Sequence, residues 1–257
     1  MAKIRDPQGR FFAAGEHRMD DIRIACYADL HGKLPEPPNG MTIMVAGDAL
    51  SYGRVGFPKE EDADFSRWAR TRRVLAVKGN HDCPPNSLYW SEDVTGRCLQ
   101  VVPGISVVGI GWAGRDFFDL PREMDMEPVC NAASSMALRQ RLLAKSPDKL
   151  IVLTHYPPLL DSVLKFSGNP AGWAFRCIAS MIDILKPVAV VAGHVHELAG
   201  KVAEYKGPGL KSLIVFPGQQ GGVLYVNAKS NGARFETFPV MSSALERPSG
   251  LGFGISS

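Results

Sequence analysis

Five short apolar runs, rich in β-branched residues, punctuate the chain at residues 22–28, 42–46, 74–77, 150–153 and 188–192. Each is close to continuous instead of alternating, which is how a strand reads when both faces are buried, as in a parallel sheet. Between them the pattern changes period. Residues 60–73 put Phe65, Trp68 and Ala69 on one helical face, with acidic residues in the first turn. Further helices are predicted at about 132–144 and 174–185. Two apolar runs flank Pro103-Gly104 within 98–111, predicting a hairpin that opens a second sheet. The C-terminal part, with runs at 211–216, 223–227 and 234–238 between Gly-rich turns, reads as a β-meander. Residues 1–21 are polar and read as a loose arm or a short edge element. Residues 33–40 hold too many prolines for a helix.

The residues just past the five runs are more informative than the runs themselves. In chain order they are Asp29-Leu30-His31-Gly32, Gly47-Asp48, Gly79-Asn80-His81-Asp82, Thr154-His155-Tyr156-Pro157, and Gly193-His194-Val195-His196. The chain has six histidines, and all but His17 lie in this set. Loops past the carboxyl ends of strands in α/β sheets meet in one crevice. The pattern therefore predicts Asp29, His31, Asp48, Asn80, His81, His155, His194 and His196 in one metal-binding site. Nitrogen and oxygen donors without thiolate suit Mn, Fe, Zn or Ni better than Ca.

Eight donors exceed the needs of one ion. With His81 reserved for another task, seven fit two divalent ions sharing the Asp48 carboxylate. One ion takes Asp29, His31, Asp48 and His196; the other takes Asp48, Asn80, His155 and His194. Such a pair clamps phosphoryl oxygens and yields a hydroxide nucleophile at neutral pH. His81 is the candidate acid for the leaving oxygen, and Asp82 is expected to orient its imidazole.

The ordered set Asp-x-His, Gly-Asp, Gly-Asn-His-Asp, a lone His after an apolar strand, and Gly-His-x-His resembles the calcineurin-like metallophosphoesterase superfamily, over about residues 22–227. The resemblance implies a four-layer α/β/β/α sandwich of two mixed sheets flanked by helices, with a dinuclear site at the strand ends. It supports the ligand and acid roles above, with Mn²⁺ the favoured metal. The protein phosphatase branch continues its Gly-Asp motif with Asp-Arg-Gly; here Ser51 and Tyr52 stand in those positions, so the phosphate-gripping arginine is missing. Asp29-Leu30-His31-Gly32 and Gly193-His194-Val195-His196-Glu197 look more like phosphodiesterases of the cyclic-nucleotide type. The expected activity is hydrolysis of a small phosphodiester or nucleotide. The alternatives are a nuclease acting on DNA or RNA and a non-catalytic scaffold retaining the fold.

Composition narrows these readings. At 257 residues with 45% apolar residues the chain reads as one domain, and a net charge of +3 permits an anionic substrate without the clustered basic stripe of a duplex binder. The cluster Arg67, Arg70, Arg72 and Arg73 reads as a solvated helix face and end. Five scattered cysteines without a C-x-x-C pair, no signal-like start and no long apolar span predict a reduced, cytoplasmic protein with no membrane partner. Cys83 reads as a small buried group, and Tyr156, Asn169 and Trp173 as either pocket or packing. The natural substrate and oligomeric state are left open.

Overall fold

The computed structural model describes residues 3–5, 11–13, 21–51, 59–82, 92–110, 138–139, 149–166, 172–207, 209–227, 229–230 and 232–239. A small antiparallel ladder, β1 (Lys3–Arg5) with β2 (Phe11–Ala13), stands where the arm or edge element was expected. The predicted runs then appear as β3 (Asp21–Tyr27), β4 (Thr42–Ala46) and β5 (Val74–Val77), with α1 (Lys59–Arg70) before β5. The hairpin is β6 (Cys98–Val102) and β7 (Ile105–Ile110). Next come β8 (Leu150–Thr154), a short α2 (Asp161–Leu164), α3 (Gly172–Leu185) and β9 (Ala189–Val191). The C-terminal strands are β10 (Lys201–Gly207), β11 (Leu210–Phe216), β12 (Gly222–Asn227) and β13 (Ala233–Thr237). His17, Tyr52, Cys83, Cys130, Asn169, the Trp173 side chain and most of the helix predicted at 132–144 lie outside the described residues.

Two mixed sheets form. One has five strands in the order β13-β12-β3-β4-β5, the other six in the order β10-β11-β9-β8-β7-β6. The five strands that carry the motifs each pair in parallel with a neighbour: β3 with β4, β4 with β5, and β8 and β9 with each other. Their continuous apolar character has a direct cause in the layering. Ile24, Cys26, Met44, Leu75 and Val77 pack against Val107, Ile151, Leu153, Val191 and Val215 of the facing sheet. The outer face of the first sheet, with Ile43, Val45 and Ala76, is covered by Phe65, Trp68 and Ala69 of α1. The outer face of the second, with Val152, Val190 and Ile214, is covered by Phe175, Ile178, Met181 and Ile182 of α3. The result is helix, sheet, sheet, helix: the four layers expected, with the motif strands buried on both sides.

The sequence reading needs two corrections. The C-terminal runs are not one meander: β10 and β11 belong to the six-stranded sheet, whereas β12 and β13 complete the five-stranded one. β10 was not predicted, because Lys201, Glu204 and Lys206 interrupt its apolar residues; it is an edge strand, where charge blunts open pairing. The arginine cluster is used structurally. Arg72 lies over the Trp68 ring at 5.4 Å, Arg73 donates to the Gln100 and Val101 carbonyls, and Arg67 pairs with Asp64.

Candidate metal centre

All five motif loops converge at one end of the facing sheets. Backbone hydrogen bonds tie the first two together: Asp29 N to Gly47 O at 3.1 Å, His31 N to Asp48 O at 3.0 Å and Gly32 N to Ala49 O at 2.9 Å. The loop after β9 joins them through His194 N to Asp29 Oδ1 at 2.9 Å, and Gly193 N bonds to His155 O at 3.0 Å. Asp29, His31, Asp48 and His194 all have positive φ, at 54°, 46°, 50° and 69°. Each costs backbone strain of about 1–3 kcal/mol that the surrounding hydrogen bonds must hold in place.

The donor atoms fall into touching groups. His196 Nε2 is 3.3 Å from His31 Nε2 and 3.9 Å from Asp29 Oδ1. Asn80 Oδ1 is 2.8 Å from His155 Nε2 and 3.0 Å from His194 Nδ1, and His155 Nε2 is 3.4 Å from Asp48 Oδ2. Asp29, His31 and His196 form one set that could hold an ion, and Asp29, Asp48 and His155 another; His31, Asp48 and His81 form a third. Asp48 stands between the two halves. All seven residues expected as ligands are thus gathered, with His81 at the rim, its Nε2 3.8 Å from Asp48 Oδ2.

Two features of this cluster call for a cation. First, His155 Nδ1 lies 3.0 Å from the Ala46 carbonyl, an acceptor only, so this nitrogen carries the proton and Nε2 presents a lone pair. That lone pair faces the Asn80 amide oxygen and the Asp48 carboxylate, which are also acceptors. A positive ion between them turns repulsion into coordination. Second, Asp29 and Asp48 are almost fully buried, and among the described residues no Lys or Arg pairs with either. Burial, then the nearby Asp29, raises the Asp48 carboxyl well above its ordinary range. Burial and neighbouring imidazoles push His194 down to about 3 and His81 down to about 4, keeping their nitrogens neutral. Buried carboxylates beside neutral imidazoles fit divalent ions.

Asp82 has a different task from the one expected. Its carboxylate is fully buried and accepts from Leu50 N at 2.9 Å and Gly79 N at 2.8 Å. It braces the Asp48 loop against the Asn80 loop, where orienting the His81 ring had been expected. Burial and the charge of Asp48 push it up to about 7. Sequence adjacency to His81 suggested orientation, but backbone donors reached Asp82 first. Asp82→Ala strands two buried N–H groups, so the protein should lose about 2 kcal/mol or more of stability in chemical denaturation. An unchanged unfolding midpoint would refute the brace.

Two residues were missed by sequence reasoning as contributors here. Ser51, at the position that lacks the phosphatase Asp, donates from Oγ to His31 O at 2.8 Å, and its N–H donates to Glu61 of α1 at 2.7 Å. Glu61 thereby fastens the α1 N-terminus to the metal-site loops; its only sequence signal was its place in an acidic first turn. Tyr156 is buried, in contact with His155 and His194, so it packs and does not line a pocket.

The profile of the calcineurin-like phosphoesterase family matches residues 22–198. Among solved structures the chain is similar to TT1561 of Thermus thermophilus, with TM-score 0.57 and 15% identity over 84% of this chain and 99% of that one. It is also similar to GAP50, the anchor in the inner membrane complex of Plasmodium (TM-score 0.46, 13% identity, 84% of each chain). A third is phosphopantetheinyl hydrolase (PptH) from Mycobacterium tuberculosis (TM-score 0.44, 15% identity, 77% of this chain and 91% of that one). At these identities the likeness is one of fold. No curated protein matches the chain. Among the described residues no helix is long and apolar enough to cross a membrane. With its motifs gathered at the ends of two facing sheets and the family profile spanning most of its length, the chain belongs to the calcineurin-like phosphoesterase family.

Proposed function

We propose that the protein is a dinuclear metal-dependent phosphodiesterase acting on a small phosphodiester or nucleotide. The observation that carries this reading is the convergence of lone pairs on both sides of the buried Asp48 carboxylate. Asp29, His31, Asp48 and His196 would hold one divalent ion, and Asp48, Asn80, His155 and His194 the other; Mn²⁺ is the favoured metal, with Fe, Zn or Ni as alternatives. Such a pair supplies Lewis-acid polarisation of the phosphoryl group and an acidified water. The protein's own groups do the rest. Ala46 O fixes the His155 tautomer, Asp29 Oδ1 holds the His194 backbone, and Asp48 Oδ1 accepts from His81 N at 2.8 Å, setting the His81 loop at the rim.

His81 is the group that delivers a proton to the leaving oxygen. Its ring is partly open to solvent and lies against His31, with centroids 4.8 Å apart. The depression of its pKa comes first from burial and then from the His31, His155 and His196 rings. A phosphodiester anion beside the ring adds negative charge, which opposes that depression and lets Nε2 hold the proton it passes on. The nuclease alternative is weaker because the net charge is only +3, and in the arginine cluster at the end of α1 Arg67 pairs with Asp64, Arg72 lies over Trp68 and Arg73 donates to main-chain carbonyls. Free thiols at Cys26, Cys98 and Cys177 support the cytoplasmic reading.

The test is hydrolysis of an aryl phosphodiester and an aryl phosphomonoester by metal-stripped protein, with Mn²⁺ added back. Diester turnover should require metal, and His81→Ala should lower it by about 10²–10⁴-fold without loss of bound metal. No turnover of either ester, in protein that binds two ions, would favour the scaffold. Preferred turnover of the monoester would refute the diester assignment.

A further inference from the structure

Two imidazoles face Asn80 Oδ1, yet they are held by different means. His155 is fixed at its distal nitrogen by the Ala46 carbonyl at 3.0 Å, and its ring is fully buried. His194 uses Nδ1 toward Asn80, and its other ring nitrogen has no hydrogen-bond partner among the described residues. Its backbone is secured by the bond to Asp29 Oδ1 and by its left-handed conformation, so what remains loose is the side-chain torsion. The ring torsion of histidine is broad, with little intrinsic preference. Packing must choose the orientation. The Tyr156 ring sits against His194 with centroids 4.4 Å apart at 55°, the shortest ring contact in the site among the described residues, and against His155 at 5.3 Å and 72°. Tyr156 is itself held by Phe175 at 6.2 Å in the core under α3 and is 1% exposed, so it is closed off from solvent.

We propose that Tyr156 is a positioning residue whose flat ring holds the His194 imidazole with Nδ1 toward Asn80, and that it thereby sets the affinity of one of the two divalent ions and not the other. This rests on the dinuclear reading above. Packing by this tilted aromatic ring here replaces the hydrogen bond that usually orients a metal-ligating histidine. The ring is what matters, so Tyr156→Phe retains the function. Tyr156→Met and Tyr156→Leu both remove the flat face, with side chains of nearly equal volume but different flexibility.

The experiment is titration of metal-stripped protein with Mn²⁺, following free Mn²⁺ by electron paramagnetic resonance, with thermal melting of each metal-free variant alongside. Wild type should bind two ions, and Tyr156→Phe should match it within about twofold. Tyr156→Met and Tyr156→Leu should weaken one ion by about 10–100-fold, the range typical of groups that orient metal ligands, and leave the other unchanged. Equal weakening of both ions, or unchanged affinity for both, would overturn the proposal. So would loss of the fold in both variants, which would make Tyr156 a core residue only. Wild type binding fewer than two ions would overturn the dinuclear reading itself, and this proposal with it, before any variant is compared.

Discussion

Asp48→Asn should cut turnover about 10³-fold and yet make the metal-free protein more stable. The two effects have one origin. Asp48 is 2% exposed, raised in pKa first by burial and then by Asp29, and no basic side chain among the described residues pairs with it. Its charge serves the metals and costs the fold when they are absent. In Asp48→Asn the amide oxygen can still accept from His81 N, and the new NH₂ group can donate to the His155 Nε2 lone pair now 3.4 Å from Oδ2. Both contacts are kept, and the repulsion is gone. The shared anionic ligand is also gone, so a loss of about 4 kcal/mol in transition-state stabilisation, or about 10³-fold in rate, is expected.

The pH dependence has a definite sign. A carboxyl raised in the folded state favours the protonated form there, so its cost is absent below the unfolded value near 3.9 and grows as pH rises through the folded value. Asp48 and Asp82, the latter pushed up to about 7, act in the same direction. The metal-free wild type should therefore lose stability as pH rises from about 4 to about 7 through Asp82, and up to the raised folded value of Asp48. Asp48→Asn should melt higher than wild type by several degrees at pH 8, at about 2–4 °C per kcal/mol, and by less at pH 5. Added Mn²⁺ should reverse the order at pH 8. Melting curves with and without chelator decide the matter; a metal-free Asp48→Asn that melts lower at pH 8 would show that Asp48 is not electrostatically frustrated.

The ligand set was legible because strand period and residue chemistry point the same way. A continuous apolar run marks a strand covered on both faces, and a histidine or aspartate just past it has little to do in a core. Asp29, His31, Asp48, Asn80, His155, His194 and His196 needed no more than that to be grouped, and the structure gathers them. Partition into two sheets was not legible, since β11 and β12 are short, largely apolar neighbours in sequence and diverge only through long-range pairing, with β9 and β3 respectively. The task of Asp82 was not legible either. A side chain beside a catalytic candidate invites a local role, whereas its partners, Leu50 and Gly79, are chosen by how two loops cross. The same is true of the left-handed Asp29, His31, Asp48 and His194: Asp and His are enriched in that region, but the enrichment does not single out these positions. Such conformations follow from the site, not from the local sequence.

The glycines before the ligands carry the last large effect. Gly47 makes room for a ligand. Its φ is +79°, and a Cβ there would lie 2.6 Å from His155 Nδ1 and 2.7 Å from Cγ. Alanine must therefore take a left-handed backbone, costing about 1 kcal/mol or more, and also displace a fully buried ring from its bond to Ala46 O. Gly79 is tighter still, with a Cβ 2.1 Å from Asp48 Oδ1 and 2.5 Å from Asp48 N. Asp48 cannot retreat, because its backbone bonds His31 and its Oδ1 bonds His81. Gly47→Ala and Gly79→Ala should each cost about 4 kcal/mol or more, the range reserved for buried clash and broken networks. Gly40→Ala is the control: its φ is +76° and nothing lies within 4 Å of the added carbon. Left-handed strain alone is then left, about 1 kcal/mol. Urea denaturation of the three variants separates strain from clash. If Gly47→Ala costs no more than Gly40→Ala, the close approach of His155 to the Gly47 backbone is not what holds this ligand in place.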